Sequence, residues 1–257
     1  MKKTILTFTI LIILTFISVN SNAQTVYYKH SRPAWTVGFG PAWQLATNDA
    51  YGRANYSSQD QILRDNYGMR WGYGAYLYGK YSPGKLKNDR IYLGFDYKGM
   101  NNRDFDKTGN KTSYDIITVG AGYEYVFYGT YGFRSYYGAG LTGNIISGDY
   151  EPRAVTTVNF PKSFKSTFRV GMELKAGLEF IFNTRRKNFG LNVGARYNLM
   201  NLFNDENKAD LIGQTKDLYL NDGDGANGPG FKRYIGVVSV DVGLNIYPDV
   251  KRTRIVR

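Results

Sequence analysis

Residues 168–180 read Phe168-Arg169-Val170-Gly171-Met172-Glu173-Leu174-Lys175-Ala176-Gly177-Leu178-Glu179-Phe180. Phe168, Val170, Met172, Leu174, Ala176, Leu178 and Phe180 fall on one face of an extended chain. Arg169, Gly171, Glu173, Lys175, Gly177 and Glu179 fall on the other. Side chains of a strand alternate between two faces, so this period of two predicts a strand with one apolar and one charged side.

The same pattern recurs outward from that segment. Before it come Trp35–Gln44, Trp71–Tyr81, Ile91–Lys98, Ile117–Tyr125 and Tyr137–Ile145; after it come Phe189–Tyr197 and Val238–Ile246. Eight alternating strands result. Short connections lie near Ser82–Asp89, Tyr128–Arg134 and Asn183–Asn188. Long ones run Ala46–Met69, Asn101–Thr112, Ser147–Lys165 and Asn204–Lys232. Every odd connection is long and every even one short, so both termini fall on the short-turn side. In bacterial transmembrane barrels that side is the periplasm. The pattern predicts an all-β fold, an eight-stranded antiparallel up-and-down transmembrane β-barrel.

The first 23 residues stand apart. Lys2 and Lys3, an apolar run from Ile5 to Val19 and Ser21-Asn22-Ala23 have the form of a secretory signal peptide. The run is shorter than the roughly 20 residues of a spanning helix. The predicted organisation is a signal peptide (1–23), a periplasmic leader (24–33), the barrel (34–248) and a basic periplasmic tail (249–257). The chain has no cysteine but 30 Gly, 23 Tyr and 15 Phe, with no later run apolar enough for a spanning helix. Alternation of lipid-facing and lumen-facing residues averages hydropathy in this way.

A soluble barrel with an apolar interior shares the alternation. Eight strands enclose too little room for this many rings, however, which places the aromatics outside and the charges inside. Glycines on the polar face then leave space for inward Tyr76, Tyr78, Tyr92 and Tyr136. Outward Trp35, Tyr81, Tyr125, Phe182 and Phe189 would form one interfacial girdle, and Trp43, Trp71, Tyr97, Phe168 and Tyr197 the other. By strands, connections and faces, the chain from Ala34 to Pro248 resembles the small eight-stranded outer-membrane barrels of the OmpA/OmpX kind. That resemblance implies an outer-membrane protein of a Gram-negative bacterium, porin-like in fold.

The inward charges are Lys80, Asp96, Lys98, Glu124, Arg169, Glu173, Lys175, Glu179, Arg196 and Asp241. Buried charges must pair or hydrate, so an ion-pair network filling the lumen is expected. No catalytic residue is assigned. The single histidine, His30, precedes the first strand, there is no thiol nucleophile, and the spacing of Glu173, Glu179 and Asp241 does not mark an acid–base site. No cofactor and no metal site is expected. Asn221-Asp222-Gly223-Asp224-Gly225-Ala226-Asn227-Gly228 has acids two apart, as calcium loops do, but lacks the full spacing and closing Glu, and reads as a polar turn.

Net charge is +12. Sorted by side, the excess gathers on the periplasmic rim: Lys85, Lys87, Arg90, Arg134, Arg185, Arg186, Lys187, Lys251, Arg252, Arg254 and Arg257, joined by Lys29 and Arg32 of the leader. Only Asp89 and Asp249 oppose them. Acidic lipid headgroups attract such a rim, and so would an acidic periplasmic or outer-membrane protein partner. Nucleic acid is not an expected partner of an exported barrel. Three functions follow from this pattern: a non-enzymatic structural or envelope barrel, a subunit of a secretion or assembly complex docked through the rim, and a surface-binding or small-solute-conducting barrel.

Overall fold

The computed structural model describes residues 27–48, 50, 69–102, 111–129, 132–151, 163–182, 188–202, 217–218 and 235–255. The signal peptide, Arg185, Arg186, Lys187, Arg257 and the Asn221–Gly228 turn lie outside them. Eleven strands are present among the described residues: β1 (Tyr27–His30), β2 (Trp35–Asn48), β3 (Trp71–Tyr81), β4 (Asp89–Asn101), β5 (Lys111–Tyr128), β6 (Phe133–Glu151), β7 (Ser163–Ile181), β8 (Phe189–Leu199), β9 (Asp217–Leu218), β10 (Ile235–Ile246) and β11 (Arg252–Ile255).

Each long strand pairs antiparallel with the next. β10 then pairs with β2, which closes an eight-stranded barrel from β2–β8 and β10. Closure leaves no open sheet edge. The face assignment holds along every strand. In β2, Trp35, Val37, Phe39 and Trp43 are exposed while Thr36, Gly38, Ala42 and Gln44 are buried. In β7, Phe168, Val170 and Leu174 are exposed while Arg169, Glu173 and Glu179 are buried. The apolar side is outside and the charged side is the interior.

Strand ends run past expectation at residues 46–48 of β2 and furthest in one sector. β5, β6 and β7 have 18, 19 and 19 residues, where about 9–11 suffice to cross a bilayer. Residues 111–112, 147–151 and 163–165, expected in loops, continue the ladder, with an irregularity between Ile146 and Gly148. Two residues of the last long connection, Asp217 and Leu218, add a parallel pairing to the start of β7. The outward positions in and beside these extensions carry Asp115, Ser147 and Asp149 in place of apolar residues.

The short-turn side is tightly made. Between β3 and β4, Gly84 and Lys87 take positive φ, at 74° and 58°, and Lys87 Nζ donates to the Ser82 carbonyl at 2.9 Å. Asp249 accepts from the backbone N–H groups of Ala34 and Trp35 at 2.7 and 3.1 Å. Leader and tail are not extended threads. β1 and β11 pair antiparallel from Tyr27 opposite Ile255 to His30 opposite Arg252, a two-stranded unit of its own.

Candidate functional site

The interior is organised in levels, and strand register sets them. At the short-turn end, Arg90 on β4 lies opposite Glu124 on β5, and Arg134 on β6 lies opposite Glu179 on β7. Lys80 and Lys175 enter the same level from β3 and β7. Glu179 receives Arg90 through two hydrogen bonds, at 2.5 and 2.8 Å. Lys80 and Lys175 each reach Glu124 at 2.9 Å, and Arg90 Nη1 stands 3.5 Å from it. Both carboxylates are fully buried.

This level corrects the sequence reading. Arg90 and Arg134, assigned above to the periplasmic rim, are buried inside the barrel at 1% and 6% exposure. Each shares the parity of an inward tyrosine two residues along, Tyr92 or Tyr136, and the strand carries it inward with that neighbour. The interior therefore holds seven basic and five acidic side chains among the described residues, not five of each. Of the other rim residues, Lys85 and Lys87 lie in the β3–β4 turn and Lys251, Arg252 and Arg254 on or beside β11.

Higher up, Tyr92 donates to Glu173 at 2.7 Å, and Lys175 Nζ sits over the Tyr92 ring, linking the two levels. Arg196 holds Asp241 through Nε at 2.5 Å and Nη2 at 2.9 Å, and also reaches Asp96 at 3.1 Å. Lys98 pairs with Asp96 and donates to Thr118 at 3.0 Å. A polar relay continues upward, from the Thr118 hydroxyl to Asn144 Oδ1 at 2.9 Å, then from the Asn144 amide to Thr142 and to the carbonyls of Arg169 and Met200. All ten residues expected to form the network are inward; ion pairs join Lys80, Asp96, Lys98, Glu124, Glu173, Lys175, Glu179, Arg196 and Asp241, and Arg169 is buried on the same face.

The inward tyrosines fill what the charges leave. Tyr76 and Tyr78 stack at 5.4 Å, and Lys80 lies 4.2 and 4.4 Å from the rings of Tyr78 and Tyr136. Glycine is required where these side chains lie over neighbouring strands. A Cβ on Gly122 would come within 2.6 Å of Tyr92 Oη, and one on Gly194 within 2.7 Å of Tyr136 Oη. Among the charged levels lies a cavity of about 30 Å3, bordered by Tyr76, Tyr92, Asp96, Glu173, Asn192 and Asp241. That is room for one or two water molecules.

The long-loop mouth is closed differently. Met69, Met100 and Met200 meet Tyr114, Ile116, Ile146, Ile235 and Val237 in a buried apolar cluster across the barrel. Sequence reasoning missed this lid because its members sit just past the expected ends of alternation. The only available signal was inward parity, which the lid residues share with the charges below.

No protein-family model and no curated protein matches the chain. Among solved structures, it is similar to Neisserial surface protein A (16% identity, TM-score 0.47, covering 85% of this chain and 99% of that one). It is also similar to Ail, the attachment invasion locus protein of Yersinia pestis (13%, 0.45, 84% and 99%). A third is the outer membrane protein OprG from Pseudomonas aeruginosa (12%, 0.46, 84% and 97%).

Proposed function

We propose that this chain is a non-enzymatic protein of the bacterial outer membrane, a closed barrel that serves the envelope as a rigid wall element and does not conduct. The observation that carries the reading is the inverted interior. Apolar and aromatic side chains cover the outside, while a dozen charges are locked inside. Water on the outer face would leave that apolar belt unburied, whereas lipid covers it at no cost in lost hydrogen bonds, since closure pairs the backbone internally.

Closure from both ends supports the non-conducting part. The ionic levels leave a cavity of about 30 Å3, and the methionine-rich lid seals the other mouth. The interior acids are engaged in structural contacts: Glu173 by Tyr92, Glu179 by Arg90, and Asp241 by Arg196. A general acid or base must reach a substrate proton, and these carboxylates are occupied within the packed wall.

The test is reconstitution in a planar bilayer after extraction from outer membranes. The reading requires insertion without reproducible channels. Steady single-channel steps from the wild-type chain would refute it, as would recovery in the soluble fraction. A second reading, docking of an acidic partner protein, is favoured by Lys85, Lys87, Lys251, Arg252 and Arg254 at the short-turn end and tail, opposed only by Asp89 and Asp249. It predicts a co-purifying protein released by neutralising Arg185, Arg186 and Lys187.

A further inference from the structure

The ionic level at the short-turn mouth does not balance. Lys80, Arg90, Arg134 and Lys175 share two carboxylates, Glu124 and Glu179. Crediting Lys175 to Glu173, which lies 3.8 Å from its Nζ, still leaves three cations on two anions. Arg134 is the one left over. Its nearest carboxylate oxygen, Glu179 Oε2, is 3.7 Å from Nη1. That oxygen already receives Arg90 at 2.8 Å and Tyr247 at 3.4 Å. Arg134 Nη1 is buried and has no hydrogen-bond acceptor. An unmet charged donor is among the costlier groups to bury.

Among the described residues, no further carboxylate stands beside Arg134 from this side. The segments 82–88, 129–132 and 182–188 contain no Asp or Glu. The two carboxylates of the rim are committed elsewhere. Asp89 accepts the Tyr123 hydroxyl on the outer face, and Asp249 caps the N–H groups of Ala34 and Trp35. A second guanidinium stands close by. Arg134 and Arg32 lie 5.0 and 4.0 Å from the centroid of the Tyr128 ring. They are therefore no more than about 9 Å apart, a span one tetrahedral anion accepting hydrogen bonds of about 2.9 Å can bridge.

We propose that the short-turn mouth of the barrel is a phosphate-binding site, with Arg134 as its buried ligand and Arg32 as the second guanidinium. A phosphate presents several acceptors in different directions, which suits two guanidiniums that do not share a plane, and guanidinium forks match phosphate oxygens well. The phosphate belongs either to a phospholipid headgroup of the adjoining leaflet or to free inorganic phosphate. The lipid source rests on the membrane orientation proposed above; the site itself does not.

The experiment uses the full chain in nanodiscs of phosphatidylcholine alone, titrated with inorganic phosphate by calorimetry, and in nanodiscs containing phosphatidylglycerol. Saturable phosphate binding to the first, weakened about tenfold or more by Arg134→Gln and several-fold by Arg32→Gln, is the expected result; Lys85→Gln should leave it unchanged. Loss of that binding in phosphatidylglycerol discs would identify the lipid headgroup as the occupant, and its retention would identify the free ion. Arg32 is exposed and outside the ionic level, so its variant tests the site even if Arg134→Gln fails to fold. Phosphate binding indifferent to both arginines, or absent with no preferential association of phosphatidylglycerol, would overturn the site. So would capture of an acidic protein at this mouth in place of phosphate. A failure here in a barrel that still inserts and stays closed leaves the proposed function standing.

Discussion

Glu179→Gln is the substitution that most directly tests whether the interior is held by charge. Glu179 is fully buried, takes two hydrogen bonds from Arg90 at 2.5 and 2.8 Å, and lies within 4 Å of both Lys80 and Arg134. Glutamine keeps the shape and one acceptor oxygen but removes the charge, leaving four cations on Glu124 alone. Breaking a buried pair by removing one partner costs about 3–5 kcal/mol. With a urea dependence of about 2 kcal/mol per molar, the unfolding midpoint should fall by roughly 2 M. The assay is urea unfolding of the barrel in detergent, followed by tyrosine and tryptophan fluorescence. The exposed control Asp89→Asn should move it by less than about 0.5 M, as exposed pairs contribute about 0–1 kcal/mol. Adding Arg134→Met to Glu179→Gln should recover part of the loss, because one of the unbalanced cations leaves with it. A Glu179→Gln midpoint equal to that of Asp89→Asn, or no recovery in the double variant, would refute the electrostatic account.

Leu174→Arg places a cation on the lipid side of β7 and should cost about 2–4 kcal/mol of insertion energy. Lys175→Ala should be far milder, since Glu124 keeps Lys80 at 2.9 Å; equal yields of folded barrel from the two variants would put the faces in doubt. Gly122→Val drives side-chain atoms against the backbone of Ala139 and Gly140 and against the Tyr92 hydroxyl and should lower stability by about 1–3 kcal/mol. Pairing it with Tyr92→Ala should restore part of that in the same urea assay. Met100→Ala and Met200→Ala should each cost about 2–5 kcal/mol as cavities in the lid, yet bilayers containing either should stay silent because the ionic levels below remain.

Where the sequence was legible and where it was not follows from what writes the alternation. Apolar and polar residues alternate only where one face meets lipid or core and the other does not. The expected strands therefore began at Ile117, past Asp115, and ended at Ile145, before Ser147. Yet the backbone ladder of β5–β7 continues there, because inter-strand hydrogen bonds need no apolar outer face. The same truncation hid Arg90 and Arg134. A basic residue at the edge of an apolar run looks like the start of a turn, although parity with Tyr92 and Tyr136 aims each inward. The lid was hidden for the opposite reason. Inward Met100, Ile116 and Ile146 are apolar where inward residues below are charged, so they break the expected two-sided contrast while keeping the period. β1 and β11, four residues each, are too short to show a period at all.

The two closures are physically dependent on each other. An ion-pair network open to bulk water would be solvated and screened within a Debye length of about 10 Å, and its pairs would be worth no more than surface bridges. With the methionine lid above and Tyr247, Tyr128 and Arg134 packed below, water reaches the charges poorly, so each unpaired group bears nearly its full desolvation cost. That cost is what makes the interior selective. Matched cations and anions help hold the strands in register, since Arg90 beside Glu124 fits only one alignment of β4 with β5. A slip of one residue would turn these charges outward into lipid. At the short-turn mouth the match fails by a charge, and this is also the end where a cation, Arg32, is exposed to the outside. An anion from outside, as proposed above, would complete the match at that position.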